Sequence, residues 1–480
     1  MKKSTFNRIT WVALNLFLFT GIAAYTQTPR GDRILAIDLQ PYDGQAFSSA
    51  AADAVTQGVT TATIHLDWNQ IESSPGVFTG PDAVNWQTAV TTYPTYGMNL
   101  ILTIGTLDTC QRDVPSDLAA MHWNDPEMET RFQWLLSWLS ITAANAGQPN
   151  IVVGLSIGSE ADVLLSTDST ALDNFSDYTA FFNYENSYLK SSTIWNSVPV
   201  GVSTTFGGLT SSTPSIRSAV ATLNTNADEV MYTYYPINLD FTVEDPYETP
   251  VNDTWTAISL YPGRTLDVFE AGYPTSSALG GSDAAQQTFV STMFGIWDAY
   301  YPIIHTMRFV READYSTAVS DTAATGACSG APPVPSTPAA PTVTVSGTSG
   351  TTTWSYYIVA VNSNSVQSLP GATGQTTTGA ATLTGTNSIN LSWTSVPGAS
   401  WYDVIRVSAG GAPSSTGKIG YTTGTTFTDT GLAASSYADI TYNLEEYLRT
   451  LGLRYYDPVN GTYDKVGWTQ LGTEAQERGW

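Results

Sequence analysis

Short apolar runs recur along the first two thirds of the chain, and longer segments of mixed polarity separate them. Between residue 33 and about residue 316, eight of these runs are rich in β-branched and aliphatic side chains: Ile34–Leu39, Thr61–Leu66, Asn99–Gly105, Ile151–Ile157, Val198–Thr204, Glu229–Tyr235, Thr265–Phe269 and Ile303–Phe309. Strands that are buried on both faces of a parallel sheet have this composition. The runs therefore predict eight parallel strands.

The segments between the runs carry apolar residues at helical spacing. In 127–144, Phe132, Leu135 and Leu139 recur at intervals of three and four residues, which is typical of a helix with one buried face. Strands that alternate with helices predict the α/β class and a (β/α)8 TIM barrel over residues 33–325. A doubly wound open sheet is the alternative, but no glycine-rich phosphate-binding turn follows the first run.

The composition changes after the barrel segment. Residues 326–343 are rich in Pro, Ser and Thr and are predicted to form an extended linker. In 344–432, polar and apolar residues alternate with a period of two, which favours an all-β sandwich. The segments Tyr357-Ile-Val-Ala-Val-Asn362 and Leu391-Ser-Trp-Thr394 resemble those of fibronectin type III modules.

The last part of the chain, residues 436–480, again has a helical pattern, first in Asn443–Leu451 and then in Val466–Gly479. A barrel needs an eighth helix, and no such pattern is visible in 317–334. We therefore predict that the sandwich is inserted near the eighth βα unit and that the C-terminal segment closes the barrel. A separate helical cap is the alternative.

The N-terminus carries basic residues followed by the apolar run Trp11–Ala24. This pattern predicts a secretory signal peptide over residues 1–26 and a secreted or cell-surface protein. Tyr25 and Thr26 leave open an uncleaved N-terminal anchor. With Cys110 and Cys328 as its two cysteines, an exported chain is compatible with one disulfide, and two free thiols are the alternative.

Charge narrows the range of partners. The chain has 42 acidic and 18 basic residues, a formal net charge of −24, which argues against nucleic acid as a partner and suits neutral polar ligands. The three histidines are far apart in sequence, and no cysteine or histidine group has metal-binding spacing. We therefore predict no metal and no organic cofactor.

Two glutamates stand at the ends of predicted strands. Glu160 follows the fourth run, and Glu270 ends the seventh. Side chains at the C-terminal ends of barrel strands point into the active site, and a pair of carboxyl groups there is what cleavage of a glycosidic bond requires. Each glutamate alone would be compatible with a solvated loop.

Short motifs around these glutamates resemble those of the retaining glycoside hydrolase clan of (β/α)8 barrels. Tyr234-Tyr-Pro236 and Glu270-Ala-Gly-Tyr-Pro274 are similar to family 53 endo-β-1,4-galactanases, and the second is also similar to family 17 β-1,3-glucanases. The resemblance implies that Glu160 is the acid/base and Glu270 the nucleophile. The clan usually has Asn before the acid/base, where this chain has Ser159; this departure implies a divergent substrate or a weakened or lost activity.

Other residues near the strand ends are candidates for substrate binding. Tyr234 or Tyr235 is expected to donate a hydrogen bond that holds the nucleophile, and packing in the core is the alternative. Trp68 is expected either to stack on a sugar or to lie in the core. Arg308 and Arg311 are expected to be structural ion-pair partners. The substrate-binding candidates are Trp68, Ser159, Tyr234, Tyr235, Tyr273 and Asp67.

These features together predict a secreted retaining glycoside hydrolase that cleaves a β-linked polysaccharide or oligosaccharide by a two-glutamate double displacement. The alternative is a non-catalytic carbohydrate-binding or cell-surface protein on a degenerate glycosidase barrel, since a fold does not fix its chemistry. The sugar, the linkage and the choice between internal and terminal cleavage stay open.

Overall fold

The computed structural model describes residues 27–39, 47–167, 172–326, 333–457 and 461–480. The predicted signal peptide therefore lies outside the described residues. Within the described ranges, no helix combines the length and the apolar character needed to cross a bilayer.

Eight parallel strands form the centre of the larger part of the chain. The order of neighbours around the sheet is β5-β4-β3-β2-β1-β8-β7-β6-β5. The fifth strand consists of two short pieces, of which the first pairs with β4 and the second with β6, so that the sheet closes into a ring. The predicted (β/α)8 barrel is confirmed. The strands are β1 Ile34–Asp38, β2 Thr61–Asp67, β3 Asn99–Asp108, β4 Val152–Ser159, β5 Val200–Gly201 with Ser203–Thr205, β6 Val230–Tyr234, β7 Leu266–Ala271 and β8 Ile304–Phe309.

One longer helix follows each of the first seven strands, and three short helices, Trp68–Ile71, Ala161–Thr167 and Phe206–Leu209, lie in the loops before them. The third of the longer helices shows why they form: Asp125 accepts a hydrogen bond from the backbone of Glu127 at the N-terminus, Pro126 occupies the first turn, and the predicted apolar face is buried. This face packs into the core that the helices share with the outer surface of the strands. The helices are α1 Phe47–Thr56, α2 Pro81–Thr92, α3 Pro126–Asn145, α4 Phe175–Ser191, α5 Pro214–Leu223, α6 Glu248–Leu260 and α7 Asp283–Tyr300.

Two antiparallel sheets of three and four strands follow in 342–429. Their orders are β9-β12-β15 and β11-β10-β13-β14, and buried residues from both sheets form one apolar cluster that contains Trp354 and Trp393. Arg406 crosses this region and forms a buried ion pair with Asp429 at 2.7 Å. The strands are β9 Thr342–Ser346, β10 Thr352–Val361, β11 Gly374–Gly379, β12 Ser388–Ser392, β13 Trp401–Ala409, β14 Gly417–Thr422 and β15 Thr426–Asp429.

Three helices surround this part of the chain in sequence. Helix α8 covers Thr317–Thr325, so the expectation that 317–334 contains no helix is wrong; the segment is rich in Ala and Thr and lacks the large apolar residues that reveal a buried face. Helices α9 (Ile440–Thr450) and α10 (Val466–Glu477) follow the sandwich, with the hairpin β16 (Arg454–Asp457) and β17 (Gly461–Asp464) between them.

Helix α10 packs between α7 and the end of α1. Ser291 of α7 donates a hydrogen bond to Glu474 at 2.6 Å, and Arg478 forms an ion pair with Asp298 at 2.7 Å. On the other side, α10 reaches the end of α1, where Gly58 lies against Ala475. Trp468 and Leu471 are buried in the barrel core. The segment that follows the sandwich therefore packs against the barrel.

Candidate active site

A cavity of about 740 Å³ lies at the C-terminal ends of the barrel strands, and both predicted glutamates line it. Glu160 directly follows β4, and Glu270 is the next-to-last residue of β7. The pairing between β7 and its neighbour β8 is irregular between Val268 and Ala271, so the strand bulges where Glu270 projects. The volume is in the range of about 300–1,000 Å³ that small-molecule sites have.

Two threonine hydroxyls hold the carboxyl group of Glu160. Thr233 on β6 donates to Oε1 at 2.7 Å, and Thr109 donates to Oε2 at 3.1 Å. Burial, followed by the nearby charge of Glu270, raises the pKa of Glu160 to about 7, although the two hydroxyls act in the opposite direction. Glu160 is therefore a carboxylic acid that keeps its proton at mildly acidic pH.

Different partners surround Glu270. The phenol of Tyr235 donates to Oε2 at 2.6 Å, and the Arg308 guanidinium lies 3.4 Å from Oε1. The two glutamates therefore have unlike partners: two threonine hydroxyls contact Glu160, whereas a phenol and a guanidinium contact Glu270.

Unusual backbone conformations concentrate around this cavity. Among the described residues, five residues other than glycine have positive φ angles, and four of them line it: Thr109 (50°), Glu160 (45°), Phe241 (63°) and Arg311 (42°). Each such conformation costs of order 1–3 kcal/mol and persists only where the surrounding structure imposes it. The carboxyl group of Glu160 is thus aimed by a strained backbone as well as by its hydrogen bonds.

Polar side chains from β2, β3 and β4 form a hydrogen-bonded cluster next to the glutamates. The His65 ring lies 3.0 Å from Asp67 and 4.0 Å from Asp108. Burial opposes the charge on His65, but the hydrogen bond to Asp67 and the charges of both aspartates raise its pKa to about 9. Ser159 donates a hydrogen bond to Asp108, the pKa of which is raised chiefly by burial. The Ser159 side chain is therefore engaged within the protein.

The predicted substrate-binding residues divide into two sets. Ser159 and Tyr235 line the cavity, and Asp67 reaches it only through its contact with His65. The remaining three, Trp68, Tyr234 and Tyr273, do not line it, and each is at most 2% exposed.

The buried aromatic residues have structural partners. The Trp68 indole donates to Glu72 at 2.8 Å and packs on Phe132. Of the two positions expected for Trp68, the structure has the one in the core. Tyr234 donates to Asp253 at 3.0 Å, and Tyr273 donates to a backbone carbonyl at 2.8 Å. These contacts direct the three side chains away from the cavity.

Some residues of the site carried no sequence signal. Thr109 and Thr233 are threonines near strand ends without a distinctive motif. His65 is a single histidine with no other histidine or cysteine close in sequence. Tyr447 on α9 also lines the cavity, with its ring edge-on to Tyr235 at a centroid distance of 5.5 Å. It follows Glu160 by almost three hundred residues, so proximity in sequence could not reveal it.

A disulfide lies beside the site. Cys110, the residue after Thr109, is disulfide-bonded, and Cys328 is the only other cysteine in the sequence. Cys328 itself lies outside the described residues. Cys110 directly follows the threonine whose hydroxyl donates to Glu160.

One group of side chains near the beginnings of three barrel strands could hold a metal ion. The possible ligand atoms of Glu229, Asp267 and His305 all lie within 4.8 Å of one another in the described part of the chain. The three residues come from the beginnings of β6, β7 and β8, so sequence spacing did not reveal them. None of the three lines the cavity, and Asp267 precedes Glu270 by three residues on β7.

No protein-family model matches the chain, and no curated protein matches it. Among solved structures, it is similar to the exo-β-1,4-mannosidase Op5Man5 from Opitutaceae bacterium strain TAV5, with 11% identity, a TM-score of 0.46 and coverage of 61% of this chain. The match spans only 55% of the length of that protein.

Two further solved structures are glycoside hydrolases by name. A GH5_18 protein from Bifidobacterium longum subsp. longum, in complex with Manβ1-4GlcNAc, has 10% identity and a TM-score of 0.47 over 59% of this chain and 70% of its own. Fungal β-1,4-galactanases have 13% identity and a TM-score of 0.42 over 54% of this chain and 80% of theirs. These are distant likenesses of fold.

Proposed function

We propose that the protein is a retaining glycoside hydrolase that acts on a β-linked glycoside. The observation that carries the proposal is the pair of carboxyl groups at the ends of β4 and β7, of which Glu160 has a pKa raised to about 7 and Glu270 is held by Tyr235 and Arg308. Two carboxyl groups in unlike environments are the usual basis for one acid and one nucleophile.

In the first step, Glu270 attacks the anomeric carbon while Glu160 gives its proton to the leaving oxygen, so the glycosidic C–O bond breaks as the C–O bond to Glu270 forms. In the second step, Glu160 removes a proton from water, and that water displaces Glu270 from the sugar. The Tyr235 hydrogen bond orients the attacking carboxylate, and the Thr109 and Thr233 hydroxyls orient the acid.

Export and domain organisation belong to the same proposal. We infer from the N-terminal sequence that residues 1–26 are a signal and that the protein is secreted or held at the cell surface. The disulfide at Cys110 supports an oxidising compartment. The sandwich is a fibronectin type III-like module, and its position between β8 and α10 supports an insertion in the eighth βα unit.

The test is a screen of the purified protein against β-galactans, β-glucans, β-mannans, xylans and aryl β-glycosides, read by release of reducing sugar. Proton NMR of the first product anomer distinguishes retention from inversion. Glu270→Ala should abolish turnover, and azide should restore part of it with inverted configuration, because a small anion fits the vacated space.

A variant of Glu270 that keeps full turnover would overturn the assignment of the nucleophile. The rival function, a binding protein without catalysis, predicts retention on one of these polysaccharides with no release of sugar. Ser159 is the reason to test this rival function. Its hydroxyl donates to Asp108, so that hydrogen bond is not available to a sugar.

A further inference from the structure

One face of α9 forms a wall of the active-site cavity. Leu444, Tyr447 and Leu448 of α9 line it, as does Leu451 directly after the helix. Their spacing of three, four and seven residues from the first places them on the same side of a helix. The helix therefore presents an apolar stripe to the space that contains the two glutamates.

Two loops of the barrel extend this wall. Ile237 and Phe241 follow β6, Val310 follows β8, and all three pack with the α9 residues in one apolar cluster. The strand ends contribute the opposite chemistry, with Glu160, Glu270 and the other polar groups described above. The cavity thus joins a polar floor, where a sugar would react, to an apolar wall.

The wall is fixed in place. Asn443 donates to the Asp240 carbonyl at 2.7 Å, and Arg311 donates to the Leu448 carbonyl at 3.0 Å. Ser320 of α8 donates to Glu445 at 2.7 Å on the same helix. Helix α9 is therefore attached to the loops after β6 and β8 and to α8.

Two leucines of the stripe keep accessible surface. Tyr447 and Leu451 are buried, whereas Leu444 and Leu448 are only partly buried and face the cavity. Accessible aliphatic surface in a concave site favours an apolar ligand group, because contact with that group removes both surfaces from water. A second sugar would instead bring hydroxyl groups against leucines that offer them no hydrogen bond.

We propose that this wall binds the leaving group of the substrate and that this group is apolar, an alkyl or aryl aglycone attached to the sugar by a β-linkage. The inference rests on the proposed glycosidase function and specifies its substrate class. In the first step, the bond between the anomeric carbon and the aglycone oxygen breaks as Glu270 bonds to that carbon, Glu160 protonates the oxygen, and an alcohol or phenol leaves along the α9 wall. In the second step, water gives a proton to Glu160 and displaces Glu270, which releases the sugar.

The experiment measures binding without turnover. Methyl, butyl and octyl β-thioglycosides of glucose, galactose and mannose resist hydrolysis, and calorimetry on the full-length protein gives their Kd values below the micelle-forming concentration. We expect roughly a threefold gain in affinity for each methylene that contacts the wall, and at least about a tenfold gain from methyl to octyl for the preferred sugar.

Matched variants locate the effect. Leu448→Gln and Leu444→Gln should each lower the octyl-to-methyl affinity ratio by about three- to tenfold. Leu260→Gln is the control, because Leu260 is also a partly exposed leucine on a helix, 42% exposed on α6, and does not line the cavity. It should leave the ratio unchanged. If a cavity variant does not fold, the chain-length series with the parent protein still decides the matter.

Equal affinity for methyl and octyl compounds, or no binding of any compound, would overturn the inference. So would an equal loss for Leu260→Gln and Leu448→Gln. The proposed function is tested separately. Tight binding of the octyl compound without hydrolysis of the corresponding O-glycosides would support the wall as a binding site and overturn the glycosidase function. Efficient hydrolysis of disaccharides without a preference for octyl compounds would support the glycosidase function and overturn the apolar leaving group.

Discussion

Thr233 donates a hydrogen bond to Glu160 Oε1 at 2.7 Å. Thr233 is also the backbone register partner of Glu270 in the pairing of β6 with β7. One residue of β6 therefore orients the proposed acid through its side chain and neighbours the proposed nucleophile through its backbone. The relative position of the two glutamates is set by the barrel itself.

The raised pKa of Glu160 predicts the pH dependence of catalysis. Because the acid must be protonated, we expect kcat/KM to fall as pH rises above about 7. Thr233→Val removes a hydrogen bond that favours ionisation, so the pKa of Glu160 should rise and the alkaline limb should move to higher pH. A pH–rate profile on an aryl glycoside measures both; a limb that moves to lower pH in the variant would contradict the role of Thr233.

The same titration affects stability, with a definite sign. The pKa of Glu160 in the folded protein lies above its ordinary value of 4.5, so the unfolded chain loses this proton first as pH rises. The free energy of unfolding should fall between about pH 4.5 and 7 through this group and change no further above it. Glu160→Gln should reduce the difference in Tm between pH 5 and pH 8, and an unchanged difference would argue against the raised pKa.

Tyr234, the last residue of β6, and Tyr235, which follows it, provide a matched pair of variants. Tyr235→Phe loses the 2.6 Å hydrogen bond to Glu270, and a bond to a charged group is worth about 1.5–3 kcal/mol. We therefore expect kcat/KM to fall by about 10- to 100-fold. Tyr234→Phe removes a bond to Asp253 outside the cavity, and it should lower Tm while kcat/KM changes less than about threefold.

Ser159→Asn addresses the departure from the glycosidase motif. The longer amide side chain extends toward the cavity that Ser159 lines, so an active enzyme should keep or gain turnover through a contact with the sugar 2-hydroxyl. A binding protein should gain none. Steady-state kinetics on the best substrate of the screen, with Kd for the same glycan, separate the two cases.

The barrel was predictable because parallel strands buried on both faces leave a strong apolar signal. Each predicted strand corresponds to an observed one with ends shifted by no more than about three residues. The two glutamates followed from the same signal, since the end of a parallel strand locates its last side chains at the active-site end.

The orientation of the aromatic residues was not predictable. Tyr234 and Tyr235 are consecutive, so they project in opposite directions, and the register shift between Tyr232 and Thr233 decides which one reaches the cavity. Trp68 follows β2 as closely as Glu160 follows β4, but a hydrogen bond to Glu72 turns its ring into the core. Such choices depend on contacts between segments that are distant in sequence.

The position of α10 predicts different outcomes for two deletions. Removal of 333–433 with a short flexible linker should leave a folded barrel, because α9 and α10 remain. Truncation after residue 332 removes Trp468 and Leu471 from the core, and each such loss costs about 2–5 kcal/mol against a total stability of about 5–15 kcal/mol. Thermal melts compare the two; cooperative melting of a soluble 33–332 fragment would contradict the prediction.

The late place of α9 in the chain has a consequence for biosynthesis. A ribosome completes both glutamate strands long before it makes α9, because the whole sandwich is synthesised in between. A nascent chain that ends in the sandwich carries the two glutamates without the wall and without α10. The candidate site can therefore be complete only when synthesis is nearly finished.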